Sequence, residues 1–203
     1  MKKTIFIILI VSMLALTLTA CNLTGGGTYS QINNMLKDDF SRINLDVETT
    51  ANGITLVNKY SASIASNTTI VTYSMQTLAE IEKDEDGNYI MPTDMIVTEK
   101  GSATINNGKI TFDGKETELP EITSPSLNFN KQYLSKNCTK VVDENNVTTI
   151  IADVIDIKGF TGNENFDGKD MKVEVVYGES IKSIVINYTM NSGATVKVTY
   201  TFA

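Results

Sequence analysis

The stretch "INLDVETTANGITLVNKYSA", residues 43–62, decides the fold, because its central turn sets the register of the strands around it. Asn52-Gly53 is the strongest short sequence signal for a two-residue β-hairpin turn. Folding the chain there pairs Leu45 with Tyr60, so that one face is mostly apolar and the other mostly polar. A sheet with one buried face requires this separation. The other expected pairs are Thr49–Leu56, Val47–Asn58, Ile43–Ala62, Asp46–Lys59 and Asn44–Ser61.

The same reasoning extends the sheet along the chain. Turns are expected at Ser66-Asn67, at Asn107-Gly108 and in the three-residue loop 191–193. These turns predict about nine to eleven strands in an antiparallel meander without a repeat of fixed period. The pairs they imply are Ala62–Val71, Tyr60–Tyr73, Asn58–Met75, Ile105–Ile110, Ala103–Phe112, Tyr188–Val196, Ile186–Val198 and Ile184–Tyr200.

One helix precedes the meander. The segment "TYSQINNMLKDDF" has apolar residues at helical spacing and predicts a helix over about residues 29–41. Thr28 and Gln31 have the spacing of a capping box at its start. A further short helix could follow Ser124-Pro125. The fold class expected for residues 29–203 is α+β, mainly β: one domain whose meander forms a curved half-barrel sheet, with the helix packed on the concave face. The helical stripe comprises Tyr29, Ile32, Met35 or Leu36, and Phe40.

The N-terminus carries a different signal. Two lysines precede the uncharged run "TIFIILIVSMLALTLTA", which is shorter than the about 20 apolar residues of a spanning helix and ends in small residues. This pattern is typical of a signal peptide. Leu18-Thr19-Ala20-Cys21 resembles the lipobox of bacterial lipoproteins: an aliphatic residue, two small residues and a cysteine.

The lipobox resemblance implies an anchor and a location. Residues 1–20 would be removed, and the thiol of Cys21 would receive a diacylglyceryl group. Residues 21–28 would then form a small, flexible tether. The protein would be exported and anchored by lipid to the outer face of the cell membrane; in a bacterium with two membranes, Asn22 is compatible with the outer membrane. Cys138 would be the remaining thiol, and we expect it to be buried in apolar surroundings.

Composition excludes several classes of function. The chain has 17 basic and 24 acidic residues, and removal of Lys2 and Lys3 leaves 15 − 24 = −9. Such a protein would be repelled by phosphate backbones, so we expect no nucleic-acid partner. Without histidine, neither a nucleophile–histidine pair nor a histidine metal site can form. We therefore expect no enzyme activity, no metal and no cofactor.

Two polar loops are candidates for a calcium site and for a partner contact. In "KDEDGNY", residues 83–89, Asp84, Asp86 and Asn88 stand at alternate positions, as at the start of a calcium loop. Counted from Asp84, however, the glycine stands at the fourth position and not the sixth, and Met95 occupies the twelfth, where a glutamate is needed. We interpret it as an Asp-Gly turn between strands. Residues 158–170 form the longest polar connection with glycines and are expected to be an exposed loop, with a partner contact as the alternative.

The order of elements across residues 29–203 is similar to that of the LolA-like and LppX-like half-barrel lipoproteins. This resemblance implies a binding module for a lipid or other apolar ligand, held in the concavity with the helix as a lid. The same residues would serve equally as a core beneath the helix. The alternative function is a cell-surface structural or interaction lipoprotein without a small-molecule ligand. The candidate ligand-binding residues are Leu45, Val47, Leu56, Tyr60, Tyr73 and Met75.

Overall fold

The computed structural model describes residues 27–65, 68–87, 89–90, 92–106, 109–112, 114–118, 127–135 and 138–203. The signal segment, Cys21 and the predicted features at Ser66-Asn67, Asn107-Gly108 and Ser124-Pro125 lie outside these ranges. The helices are α1 (Thr28–Met35) and α2 (Ile157–Thr161). The strands are β1 (Arg42–Ala51), β2 (Ile54–Ala65), β3 (Thr68–Leu78), β4 (Glu82–Lys83), β5 (Tyr89–Ile90), β6 (Ile96–Asn106), β7 (Lys109–Phe112), β8 (Lys115–Glu118), β9 (Thr139–Val142), β10 (Thr148–Asp153), β11 (Lys169–Tyr177), β12 (Ile181–Thr189) and β13 (Thr195–Phe202).

Eleven of the strands form one antiparallel sheet, which is open and curved into a half-barrel. Their order across the sheet is β8-β7-β6-β3-β2-β1-β13-β12-β11-β10-β9, and β4 and β5 form a separate small hairpin. Two meanders therefore meet where β1 pairs with β13. Strands β8 and β9 form the two edges. The predicted fold class, including the helix on the concave face, is confirmed.

Most of the predicted register is also confirmed. Turns at Asn52-Gly53 and around residues 191–193 give the expected pairs, because alternation on each strand leaves one register that places most of the apolar side chains on the same face. Asn52 and Gly53 both have positive φ, as this type of turn requires. The predicted Asn58–Met75 pair is not in the ladder, which ends at Lys59 and Ser74.

Helix α1 is shorter than predicted. It ends at Met35 and continues only as turns. Its N-cap is Gly27, which has no capping side chain, so the predicted capping box does not form. The predicted apolar stripe does pack on the sheet: Ile32 and Leu36 are buried, and Tyr29 and Phe40 pack against the core at its border. Tertiary packing therefore stabilises a helix whose local signals are weak.

Residues 127–135 of the crossover between the two sheet edges cover a further part of the concave face. Phe129 and Leu134, from residues 127–135, are buried in the core. The Asn33 side chain of α1 donates to the Phe129 carbonyl oxygen at 2.7 Å and accepts from the Phe129 N–H at 3.3 Å. The segment predicted as a helix after Ser124-Pro125 contains turns and no helix over its described residues, 127–134.

The prediction that residues 158–170 are an exposed loop is wrong for their first part. Helix α2 begins there, with the Asp156 side chain accepting from the Gly159 N–H at 3.0 Å and Gly162 ending the helix at φ 62°. Phe160 is 0% exposed and packs edge-to-face on Phe129, with ring centroids 5.3 Å apart. One buried aromatic residue thus fixes a segment whose composition is otherwise that of a loop.

Candidate functional site

The six residues predicted to bind an apolar ligand lie on the concave side of β1, β2 and β3. Leu45, Tyr60, Tyr73 and Met75 are buried in one hydrophobic cluster. Val47 packs against that cluster, while Leu56 is half-buried nearer the sheet end. The structure therefore brings five of the six together under α1.

The space facing these residues is occupied by the chain's own side chains. Ile32 and Leu36 of α1, with Phe129, Leu134 and Phe160, belong to the same cluster as Leu45 and Tyr60. Two shallow cavities lined by described residues, of about 420 and 230 Å³, border the convex, polar face instead. The larger one is open to solvent and lies among short polar side chains such as Asn44 and Ser61.

Tyr29, Tyr60 and Tyr200 place their phenol groups in surroundings of low polarity, which raise the pKa of each phenol. Burial raises the pKa of the Tyr60 phenol to about 12, and it also raises the pKa of the Tyr200 phenol above its usual value. Burial, and then the neighbouring Cys138 thiol, raises the pKa of Tyr29 to about 12. The Tyr29 hydroxyl makes no hydrogen bond of acceptable geometry within the described residues. The thiol is a close neighbour of the phenol, although Cys138 itself is exposed, so the expectation of a buried cysteine is wrong.

Metal binding by the carboxylates of the described residues depends on their grouping in space. No group of three or more metal-ligating side chains comes together in these ranges. Asp84 and Gly87 form the predicted turn, in which the Asp84 carboxylate accepts from the Asp86 N–H at 3.0 Å and Gly87 has φ 84°. This turn joins β4 to β5.

Among the described residues, exposed large apolar side chains are most concentrated around that turn. We call residues 78–97, which run from the end of β3 through the β4–β5 hairpin to the start of β6, the arm. Ile81 is 51% exposed and Ile90 is 48% exposed. Monomeric proteins rarely leave neighbouring large apolar side chains in water unless they contact something else. Seven of the thirteen exposed large hydrophobic residues in the described ranges belong to the arm: Leu78, Ile81, Tyr89, Ile90, Met95, Ile96 and Val97.

Sequence reasoning missed the arm. Alternating apolar residues between turns were interpreted as strand, and strand residues are usually half-buried. The available signal was the mixture of large apolar and acidic residues in "LAEIEKDEDGNYIMPTDMIV". The pairing of β2 with β3 ends at Lys59 and Ser74, whereas β3 and β6 continue to pair as far as Leu78 and Ile96. Among the described residues, this segment therefore extends beyond the neighbouring strand of the sheet.

A fork in the sheet separates the arm from the core. Beyond Lys59 and Ser74, β2 pairs only with β1, and β3 pairs only with β6. Two side chains close the junction: the Asn58 side-chain oxygen accepts from the Gln76 N–H at 2.7 Å, and the Gln76 side-chain oxygen accepts from the Val57 N–H at 2.8 Å. The arm is therefore attached to the sheet through a specific polar connection.

The arm shares one end of the sheet with the start of α1. Antiparallel pairing places the Asn52-Gly53 turn, the end of β3, the end of β10 and the start of β9 at the same end. Cys138, directly before β9, neighbours Tyr29 in the first turn of α1. Ser135 donates its N–H to the carbonyl oxygen of Asp153 at 2.8 Å, which places the chain before Cys138 at that end too.

Comparisons add no relative. No protein-family model matches the chain, and no curated protein is significantly similar in sequence. In the described ranges, none of the helices combines the length and the apolar character that crossing a membrane requires. The surfaces of the molecule itself are therefore the basis for assigning a role.

Proposed function

We propose that this protein is an exported, membrane-tethered binding module without catalytic activity, and that the arm is its binding surface. The lipobox resemblance at Cys21 supports the tether. The exposed apolar residues of the arm support the binding surface. This corresponds to the interaction-lipoprotein alternative weighed from the sequence.

The observation that carries the proposal is the concentration of exposed apolar side chains at one site. Burying a large aliphatic side chain contributes about 1.5–3 kcal/mol relative to leaving it in water. Ile81, Ile90 and Val97 are about half exposed, so complete burial of their side chains would contribute further favourable free energy to binding. A partner that covers them would recover it.

The tether is tested by substitution. Cys21→Ala should abolish partitioning into the detergent phase, because one acylated residue carries the whole anchor. Cys138→Ala is the matched control and should partition like the wild type, since Cys138 is the exposed second thiol. Detergent partitioning that persists in Cys21→Ala would contradict the anchor.

The binding surface is tested by photocrosslinking of the full chain in the cells that make it. A photoreactive benzoylphenylalanine at position 81 or 90 should crosslink to a partner, whereas the same group at position 70 should not. Ile70 has the same 48% exposure as Ile90 but lies on the convex face, near the opposite end of the sheet. Equal crosslinking at all three positions would refute a binding role for the arm.

A carrier of an apolar ligand is the second candidate. One observation favours it: Ile54 and Leu56 lie on the concave side beyond the fork and are not fully covered. A ligand reaching further would have to displace α1 from Leu45 and Tyr60. Native mass spectrometry of the purified full chain would reveal a co-purifying lipid under this hypothesis, and a mass equal to the acylated chain alone would contradict it.

A further inference from the structure

We infer that the partner of the arm is a protein surface that combines apolar side chains with lysine or arginine, presented close to the membrane that holds the Cys21 anchor. This inference rests on the proposed function, because it takes the arm as the binding surface and names what binds there. Two independent observations carry it: the charge of the arm and its position relative to the tether.

The charge of the arm is strongly negative. Residues 78–97 contain six acidic residues and one basic residue, which gives −5. Glu80, Glu85 and Asp94 are exposed beside the apolar side chains of the same segment. Complementary charge around an apolar contact speeds association and excludes partners of the same sign. A basic surface with apolar residues at its centre fits this arrangement.

The position of the arm directs it towards the membrane. Helix α1 begins beside the start of β9, at the same end of the sheet as the arm, whereas β1 begins at the opposite end, so the tether leaves the domain from the end that carries the arm. Six residues lie between Cys21 and Thr28, and the seven Cα–Cα steps from one to the other span at most about 25 Å. An acylated Cys21 would therefore hold the arm end of the domain near the headgroups.

The same charge argues against the bilayer itself as the partner. Bacterial membranes carry anionic lipids, and segments that dock on such surfaces are rich in lysine and arginine. The arm has the opposite composition, with Lys83 as its single basic residue. Apolar side chains surrounded by carboxylates suit a basic protein better than a phosphate-covered surface.

The chain provides a direct probe, because it contains no tryptophan. Ile90→Trp places a single indole in the arm, and Ile70→Trp is the control with matched exposure. Each acylated full chain is titrated in non-ionic detergent with a Lys/Leu peptide and with a Glu/Leu peptide of the same length and spacing. Each chain is also placed in nanodiscs of brominated phosphatidylcholine.

The expected result is a saturable blue shift of Ile90→Trp with the Lys/Leu peptide, at an affinity at least about tenfold above that for the Glu/Leu peptide. Adding Glu80→Gln, Glu85→Gln and Asp94→Asn changes the charge of the arm from −5 to −2 and should markedly reduce that difference. Ile70→Trp should respond to neither peptide.

Three outcomes would overturn the inference, and they separate it from the proposed function. Equal binding of both peptides at Ile90→Trp would refute the basic partner while leaving the arm a binding surface. Selective quenching of Ile90→Trp by the brominated lipid would identify the bilayer as the occupant. No response to any probe would reject this partner class, and the crosslinks at positions 81 and 90 would then decide the proposed function independently.

Discussion

The concave face and the arm contain similar apolar residues, yet they differ in what covers them. On the concave face, Leu45 and Ile184 are 0% exposed because α1, the crossover and α2 lie over the sheet. In the arm, Ile81 and Ile90 are about half exposed, because they lie in a short hairpin and its flanks, outside the large sheet, and no other described element packs over them. The difference shows that alternation along a strand indicates which residues share a face, whereas burial also needs another element to cover that face.

Side chains of the two regions should therefore contribute differently to the free energy of unfolding. Core side chains stabilise the fold through transfer from water and close packing. Arm side chains contribute less to folding, because Ile81, Ile90 and Val97 remain about half exposed to water in the folded state. Stability and binding should therefore respond to different sets of substitutions, and three predictions test this comparison.

The largest effect is expected for Phe160→Ala in α2. Removing a fully buried aromatic ring that packs on Phe129 should lower the free energy of unfolding by about 3–5 kcal/mol. Urea unfolding of the full chain measures the change. A loss below about 1 kcal/mol would mean that α2 is not part of a filled core, and the contrast with the arm would fail.

An intermediate effect is expected at the fork. Asn58→Ala removes the acceptor of the Gln76 N–H, so stability should fall by about 1–2 kcal/mol. The control is Thr50→Val, which removes the exposed Thr50–Thr55 hydrogen bond near the same end of the sheet and should cost much less. Equal losses in the two variants would show that the fork does not hold the arm to the core.

The smallest effect on stability is expected for the double variant Ile81→Ser, Ile90→Ser. Both side chains are about half exposed and lie outside the core, so the free energy of unfolding should change by no more than about 0.5 kcal/mol for each substitution, or about 1 kcal/mol in total. Crosslinking from a neighbouring arm position should nevertheless be lost. A large loss of stability would instead assign these residues to the fold and remove the basis for a binding surface.

Register was predictable because it depends on local turns and on alternation. The Asn52-Gly53 turn fixes the pairing of Leu45 with Tyr60, and the other pairs of that hairpin follow from the period of two. Helix boundaries were less predictable: α1 ends six residues before the predicted end, since no capping residue marks its last turn. Helix α2 was missed because Asp156 and Gly162, which cap it, are also typical of loops.

The candidate site was predictable only in part. The sequence placed Leu45, Val47, Tyr60, Tyr73 and Met75 on one face, and the structure brings them together there. Which groups face them depended on contacts distant in sequence, such as the pairing of the Asn33 side chain with the Phe129 backbone. The same holds for the fork, because Asn58 and Gln76 meet only when two strands diverge.

The sequence by itself determined the strand order within each hairpin and the apolar face of the first three strands, since both depend on residues close together in the chain. Lipid attachment at Cys21 stays a prediction from the sequence alone. Only the tertiary structure decided, among the described residues, that α1 and the crossover cover Leu45 and Tyr60 on the concave face, that Cys138 lies exposed beside Tyr29, and that large apolar side chains of the arm are exposed at the end where α1 begins. The physical reason is that burial belongs to a pair of surfaces, and the second surface is supplied by segments far away in the sequence.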